Sequence, residues 1–359
     1  MNQIDDTSSY LDQVERPTLI LDVNRSKNNL ARMKAKADKN QVFFRPHFKT
    51  HQSASVGRWF REGGVSAIAV SSVDMALYFA RHGWNDITLA FPVNPRQLAA
   101  INSLAAAIKL NLLVESLEMV EFLNQNLTSP VEAWIKIDVG YGRTGIPWNQ
   151  ADQVKAVARA MVDSPIKLSG LLTHTGHTYQ AKSVTEVQTI TSEAISRLSG
   201  LKSSLIEAGL GPILISVGDT PGCSLVDDFS GVDELRPGVF IFYDLMQLAL
   251  GACAETDIAV AVACPVVAKH PERDIIIIYG GAVHLSKDYI IAPDGTKCFG
   301  RIARPQADGW GPLLPDAQVI SVSQEHGLVR VPAEIMKQET WSWSFRCTPA
   351  YARISSGAI

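Results

Sequence analysis

Five short runs of residues combine groups that could work together chemically. The first is Arg45-Pro46-His47-Phe48-Lys49-Thr50-His51. A lysine set among two histidines and an arginine has its ammonium destabilised by like charge and, once buried, by desolvation. The lowered pKa suits a lysine that forms an imine; an exposed basic loop is the plainer reading of the same stretch. The second run, Lys136-Ile137-Asp138-Val139-Gly140-Tyr141-Gly142-Arg143-Thr144-Gly145, offers glycines for close backbone approach to a ligand and Arg143 for an anion or phenolate. An ordinary glycine-rich turn would read the same way. The third, Thr173-His174-Thr175-Gly176-His177-Thr178-Tyr179, sets two histidines three apart. That spacing suggests a metal pair, but no third ligand stands near, so hydrogen-bonding roles suit both rings better. In the fourth, Ser216-Val217-Gly218-Asp219-Thr220-Pro221-Gly222, small residues with amides and hydroxyls form a phosphate cradle. It is neither a Walker loop nor a dinucleotide fingerprint, because the Gly-Lys-Ser/Thr and G-x-G-x-x-G signatures are missing. The fifth, Arg236-Pro237-Gly238-Val239-Phe240 followed by Tyr243-Asp244, adds a glycine amide and a cation. One lysine, one phosphate cradle and two arginines suggest a phosphorylated aldehyde cofactor held as a Schiff base.

Residues so far apart need a scaffold that gathers them. Short, doubly apolar runs predict strands at 42–45, 67–70, 87–90, 110–114, 133–137, 168–173, 213–216 and 234–235, with helical stretches between them. Eight such strands are what an α/β (β/α)8 TIM barrel requires, and the five runs then lie where strands end, at the barrel mouth. A doubly wound open sheet is the structural alternative. From about Leu245 the rhythm changes to strands without helices of similar length, at 258–267, 274–278, 319–322 and 327–331. The expected plan is a barrel over 24–244 and a second, β-rich C-terminal domain made of 1–23 and 245–359, with Pro17–Val23 crossing over to join the latter.

The composition bounds the functional classes. The chain has 359 residues and a formal charge of −3, so neither nucleic acid nor a membrane surface is an expected partner. No apolar run approaches the length of a membrane span, and the acidic first twenty residues do not read as a signal peptide. The 5 cysteines are widely spaced without a CxxC pair, which suits reduced thiols and a cytoplasmic location.

The five runs, in this order, resemble the D-serine dehydratase and D-threonine aldolase family, pyridoxal-phosphate enzymes that share the alanine racemase barrel. The likeness spans roughly residues 15 to 335. It implies Lys49 as the imine-forming lysine, Arg143 beside the cofactor's phenolic oxygen, and His174, His177 and Tyr179 beside the ring or substrate. It places Ser216, Gly218, Asp219 and Thr220, with Gly238, Val239 and Tyr243, around the phosphate, and Arg236 opposite the pyridine nitrogen. A homodimer, a small D-amino-acid substrate and a divalent metal such as zinc or manganese are further implications. Dehydration to a 2-oxo acid and ammonia is the leading expectation, and aldol cleavage to glycine and an aldehyde the second. A racemase lacks a recognisable second acid/base, and a non-catalytic cofactor-binding protein would not need the extra β domain.

In one respect the chain departs from the family. Ser323-Gln324-Glu325-His326-Gly327 resembles the strand upstream of the family's His-x-Cys or His-x-Asp metal pair, yet no histidine follows His326 and Cys347 stands alone. The segment Gln338–Ile359, with Trp341, Trp343 and Phe345 together, looks wrong for a domain's final strand, and the tail 337–359 is atypical throughout. Back-translation with freely chosen third bases, read from the last base of the Gln338 codon, permits Gly-Asp-Leu-Glu-Leu-Val-Leu-Pro-Val-His-Ser-Cys-Leu-Arg. This is a Gly-Asp turn, an apolar strand and a His-x-Cys pair. A frameshift near Met336 is therefore expected to have replaced the native C-terminus, taking the metal ligands with it and leaving the activity of this chain in doubt; a genuinely divergent tail is the alternative.

Overall fold

The computed structural model describes residues 14–306, 309–332 and, as strand backbone, 341–346. By contacts the described residues divide into one unit within Leu30–Phe240 and another made of those before Leu30 and those after Phe240.

The first unit is built on parallel strands β2 (Phe43–Phe44), β3 (Ile68–Val70), β4 (Asp86–Pro92), β5 (Lys109–Val114), β6 (Val131–Asp138), β8 (Ile166–Leu172), β9 (Leu214–Val217) and β10 (Glu234–Leu235). Their order is β2-β10-β9-β8-β6-β5-β4-β3, with the short β7 (Ile146–Pro147) paired to β6. A parallel bridge between His47 and Ala69, with the Ala69 amide donating to the Pro46 carbonyl, joins the two ends of that path. The eight strands therefore close, which removes the open-sheet alternative. They read largely as apolar runs because both faces are covered: β3 is wholly buried, and five of the six residues of β5 are.

Helices α1 (Val23–Lys39), α2 (Ala54–Glu62), α3 (Val73–Arg81), α4 (Leu98–Ala107), α5 (Leu117–Asn126), α6 (Ala151–Arg159), α7 (Val184–Glu207) and α8 (Thr220–Leu225) alternate with the strands. Each of α2, α3, α5 and α7 starts at a serine, Ser53, Ser72, Ser116 or Ser183. Its hydroxyl accepts a backbone N–H from the first turn. Such caps fix where strand ends and helix begins, and hence which residues are left at the mouth.

The second unit carries a mainly antiparallel sheet. Its strands are β1 (Thr18–Leu21), β11 (Val260–His270), β12 (Ile275–Tyr279), β15 (Gly300–Gln306), β16 (Gly309–Val322), β17 (His326–Arg330) and β18 (Trp341–Arg346); a separate hairpin pairs β13 (Ile290–Ile291) with β14 (Lys297–Cys298). β1 pairs with β11, so the predicted crossover of the N-terminal run is present. A core of Val262, Ile278, Ile302, Val319, Val329 and neighbours holds the sheet together.

One expectation is corrected. Trp341–Arg346 does form a final strand, antiparallel to both β11 and β15. Trp-Ser-Trp-Ser-Phe alternates apolar and polar with the period of a strand, and that signal outweighs the unusual residue types. The rest of the atypical tail, Cys347 included, lies outside the described residues. Among the described residues no helix is long and apolar enough to cross a membrane.

Candidate active site

The mouth of the barrel holds a cavity of about 500 Å³, lined among others by His47, Lys49, Lys136, Arg143, His174, Tyr179, Gly218, Asp219, Arg236, Gly238 and Val239. All five runs contribute, because each follows a barrel strand. Leu113 and Leu172 supply apolar wall and pack with Trp134.

Lys49 lies in a single 3-10 turn, Phe48–Thr50, just past the barrel-closing residue His47. Burial lowers its pKa, and the charges of Arg143 and Arg236 lower it further. The like charges thus come from distant runs. Arg45, its neighbour in sequence, is bound instead to Glu234 and Asp86. The two flanking histidines also differ from each other. His51 sits in an aromatic cluster of Phe48, Phe60 and Phe79, where burial drives its pKa to about 3. His47 faces the cavity.

Tautomers follow from the bonds. The Lys49 amide donates to His47 Nδ1 (3.2 Å), so that nitrogen carries no proton. His174 Nδ1 lies 2.7 Å from the Gly218 carbonyl, which can only accept, so there Nδ1 is the protonated one. Burial and the Lys49 charge hold both rings well below the ordinary histidine pKa, and both are neutral. Lys49 is therefore accompanied by a donor, His47 Nε2–H, and an acceptor, His174 Nε2.

Arg143 lies on a loop shaped by Asp138, whose Oδ1 accepts the amides of Gly140, Tyr141 and Gly142. Burial pushes the Asp138 carboxyl up, but the amides of Gly142, Gly140 and Tyr141, with Lys136, outweigh it and hold the pKa low. Gly140 and Gly142 have φ of 120° and 75°, values that side chains disfavour. The Arg143 guanidinium stands over the Tyr141 ring, on which His177 also stacks. His177 is not among the lining residues, and its Nδ1 is buried without a partner.

Glycines form the opposite wall. A Cβ on Gly218 would lie 2.7 Å from the Arg236 backbone, and one on Gly238 3.0 Å from the His47 carbonyl. Asp219 caps α8 and accepts the hydroxyls of Thr175 and Thr178; burial raises its pKa against those bonds. The Thr220 hydroxyl accepts the Val239 amide, and the Tyr179 hydroxyl accepts the Thr220 amide. The Ser216 hydroxyl is engaged with Glu234 and Arg236 and does not line the cavity. Tyr243, in the other unit, is buried at a φ of 47°. His47, Lys136 and Glu234 are the residues that the sequence reading passed over. Glu234 stands two residues from Arg236, and in extended chain such pairs point the same way.

Lys136 carries a testable consequence. Burial, then Arg236 and Arg143, bring its pKa down to about 7, against the weaker pull of Asp138 and Glu115. Above pH 7 the folded chain leaves this amine neutral while the unfolded chain keeps it protonated up to about pH 10.4. Unfolding therefore takes up a proton, and this group makes stability rise with pH across that window, by at most about 1.4 kcal/mol per unit. Lys136→Met is expected to flatten that rise and to raise the melting temperature at pH 7. An unchanged slope between pH 7 and 10 would refute it.

The sequence profile described as "Alanine racemase, N-terminal domain" matches residues 21–245, well over half of the chain. The chain belongs to this family. A second profile, "Putative serine dehydratase domain", matches residues 259–345 of this alanine racemase-like chain. A D-threo-3-hydroxyaspartate dehydratase from a Delftia species is 28% identical over 321 residues, covering 88% of this chain and 83% of its own. Its solved structure superposes with a TM-score of 0.87 at 26% identity, over 96% of this chain and 93% of that one. A Cys→Ala mutant of the same enzyme is described in the metal-free form. A D-serine dehydratase from Dictyostelium discoideum is 28% identical over 306 residues, covering 79% of this chain and 77% of its own. A D-threonine aldolase from an Arthrobacter species is 28% identical over 240 residues, covering 65% and 62%.

Proposed function

We propose that this chain is a pyridoxal 5'-phosphate-dependent lyase acting on a small D-β-hydroxy amino acid, in the dehydratase manner. The observation that carries the reading is Lys49, a half-buried lysine with a lowered pKa, facing a cavity whose other walls include two arginines and close-packed glycines. Among the described residues the buried Thr50 hydroxyl, beside the cavity-lining Gly238, has no hydrogen-bond partner. These residues fit the cofactor. Lys49 would hold its aldehyde carbon, Arg143 and Arg236 its ring, and the Gly218 and Gly238 walls its phosphate, with Asp219, Thr220 and Val239 in support.

When bound, the cofactor supplies an electron sink joined to the substrate's amino nitrogen. Lys49 Nζ, its pKa lowered by burial and two guanidiniums, takes the proton from the substrate's Cα. His174 Nε2 offers a lone pair beside it and His47 Nε2 a proton, while Leu113 and Leu172 keep water from one wall. The dehydratase products are a 2-oxo acid and ammonia.

A divalent ion is implied by the resemblance. Among the described residues there is no group of three or more His, Cys, Asp or Glu that could hold one, and no step is routed through a metal. A homodimer and a cytoplasmic location belong to the same proposal. Phe91 at the cavity mouth is 55% exposed, as a surface that a second copy covers would be. None of the four described cysteines is in a disulfide.

The neutral His174, able to accept a β-hydroxyl proton, favours the aldolase as second reading. Supplying D-serine and D-threonine to the cofactor-loaded chain separates the two. Pyruvate and ammonia from D-serine are expected; glycine and acetaldehyde from D-threonine alone would shift the assignment to the aldolase. Neither product set from either substrate would reject both.

A further inference from the structure

A line of charges of alternating sign runs through the barrel from its base to the cavity. Arg236 Nε donates to the Ser216 hydroxyl at 2.6 Å, and that hydroxyl donates to Glu234 Oε1 at 2.6 Å. The other oxygen, Oε2, accepts from Arg45 Nε at 2.6 Å, and Arg45 Nη1 donates to Asp86 Oδ1 at 2.5 Å. Asp86 also accepts from Asn111 and faces Lys109, which is half exposed. Glu234, Arg45 and Arg236 have side chains no more than 5% exposed.

Two details decide what the line does. Glu234 lies 3.7 Å from Arg236 and reaches it through the serine hydroxyl. Arg236 is therefore bonded directly to a neutral hydroxyl and shares the Glu234 charge through it. In addition, Nε binds Ser216 Oγ while Nη2 binds the carbonyls of Thr173 and Ser216. Among the described residues Nη1 has no protein acceptor, although Arg236 lines the cavity.

We propose that Glu234, backed by Arg45 and Asp86, is a positioning residue that fixes the orientation and charge of Arg236 toward the ring of the bound cofactor. This rests on the pyridoxal-phosphate reading of the site. Glu234 is the only carboxylate between two buried guanidiniums along this line. Without its charge, Arg45 and Arg236 repel each other inside the barrel, and the net positive charge beside Lys49 rises. Ser216 serves as the relay's hinge, which accounts for its absence from the cavity wall.

The test uses the full-length chain loaded with pyridoxal phosphate. The first readout is the pH midpoint of the absorbance band that borohydride abolishes; the second is the affinity for the cofactor. In Glu234→Gln the added positive charge disfavours the protonated lysine–cofactor adduct. Its midpoint is expected to fall by about one pH unit, with cofactor affinity at least about tenfold weaker. Adding Arg45→Gln restores the charge balance, and the midpoint should return toward that of the parent. Asp86→Asn, at the partly exposed end, should give a smaller shift of the same sign and serves where the buried variants do not fold. A melting temperature that falls while midpoint and affinity stay put would make Glu234 merely structural and overturn the proposal. A parent chain with no borohydride-sensitive band would instead overturn the reading of the site, and the relay with it.

Discussion

Lys49→Ala, given pyridoxal phosphate, is expected to show no absorbance near the visible–ultraviolet boundary that borohydride abolishes, and to lose lyase activity by on the order of 10³-fold or more. Removing the amine takes away both the covalent anchor and the base for the Cα proton. Lys49→Arg is expected to behave the same way, because a guanidinium stays protonated at any working pH and cannot attack a carbonyl. The pH dependence has a definite sign. Burial, Arg143 and Arg236 lower the Lys49 pKa, so its neutral fraction at any pH below the usual lysine value exceeds that of a solvated lysine. Arg143→Gln removes one of the two nearby cations. It should move the basic onset of cofactor binding to higher pH, read as the pH at which half of the chain carries the cofactor. Persistence of the borohydride-sensitive band in Lys49→Ala would place the reactive amine elsewhere, with Lys136 the first candidate.

A chain whose residues after Gln338 are replaced by Gly-Asp-Leu-Glu-Leu-Val-Leu-Pro-Val-His-Ser-Cys-Leu-Arg is expected to hold a divalent ion that the present chain does not. It should eliminate ammonia from D-serine on the order of 10²-fold faster or more, since an ion that polarises a leaving oxygen is worth several kcal/mol. The strand β18 is compatible with both reading frames. Trp-Ser-Trp-Ser-Phe and Leu-Glu-Leu-Val-Leu carry comparable strand patterns, and backbone pairing with β11 and β15 does not discriminate between them. Two measurements check the idea: the metal content of the altered chain, and the coding DNA, where stop codons soon after Met336 in the shifted frame would end it.

The barrel was legible because its strands are buried on both faces and stand out as apolar runs even when only three residues long, as Ile68–Val70 is. The cavity was legible for a related reason: residues that follow barrel strands converge at one end. The lumen was not. His47 and Glu234 owe their roles to side-chain direction and to partners such as Lys49, Ser216 and Arg45, and no single segment shows those pairings. In the β domain, β16 carries Pro312 and Pro315 and a left-handed Asp316 with a φ of 57°, and its register slips between Val319 and Ser321. Such interruptions hide a strand of 14 residues from a search for alternation.

The double pairing of β18 bears on how the chain acquires its structure during synthesis. Because this strand joins β15 back to β11, the path β11-β12-β17-β16-β15-β18 closes on itself. Until β18 emerges from the ribosome, both neighbours present unpaired edges, about eighty residues after β11 was made. The domain is then a ring with one stave missing, and exposed edges of this kind recruit other chains. A substitution in the message that kept β18 from pairing would therefore reach beyond the residues it rewrites, since β18 is the segment that completes the ring.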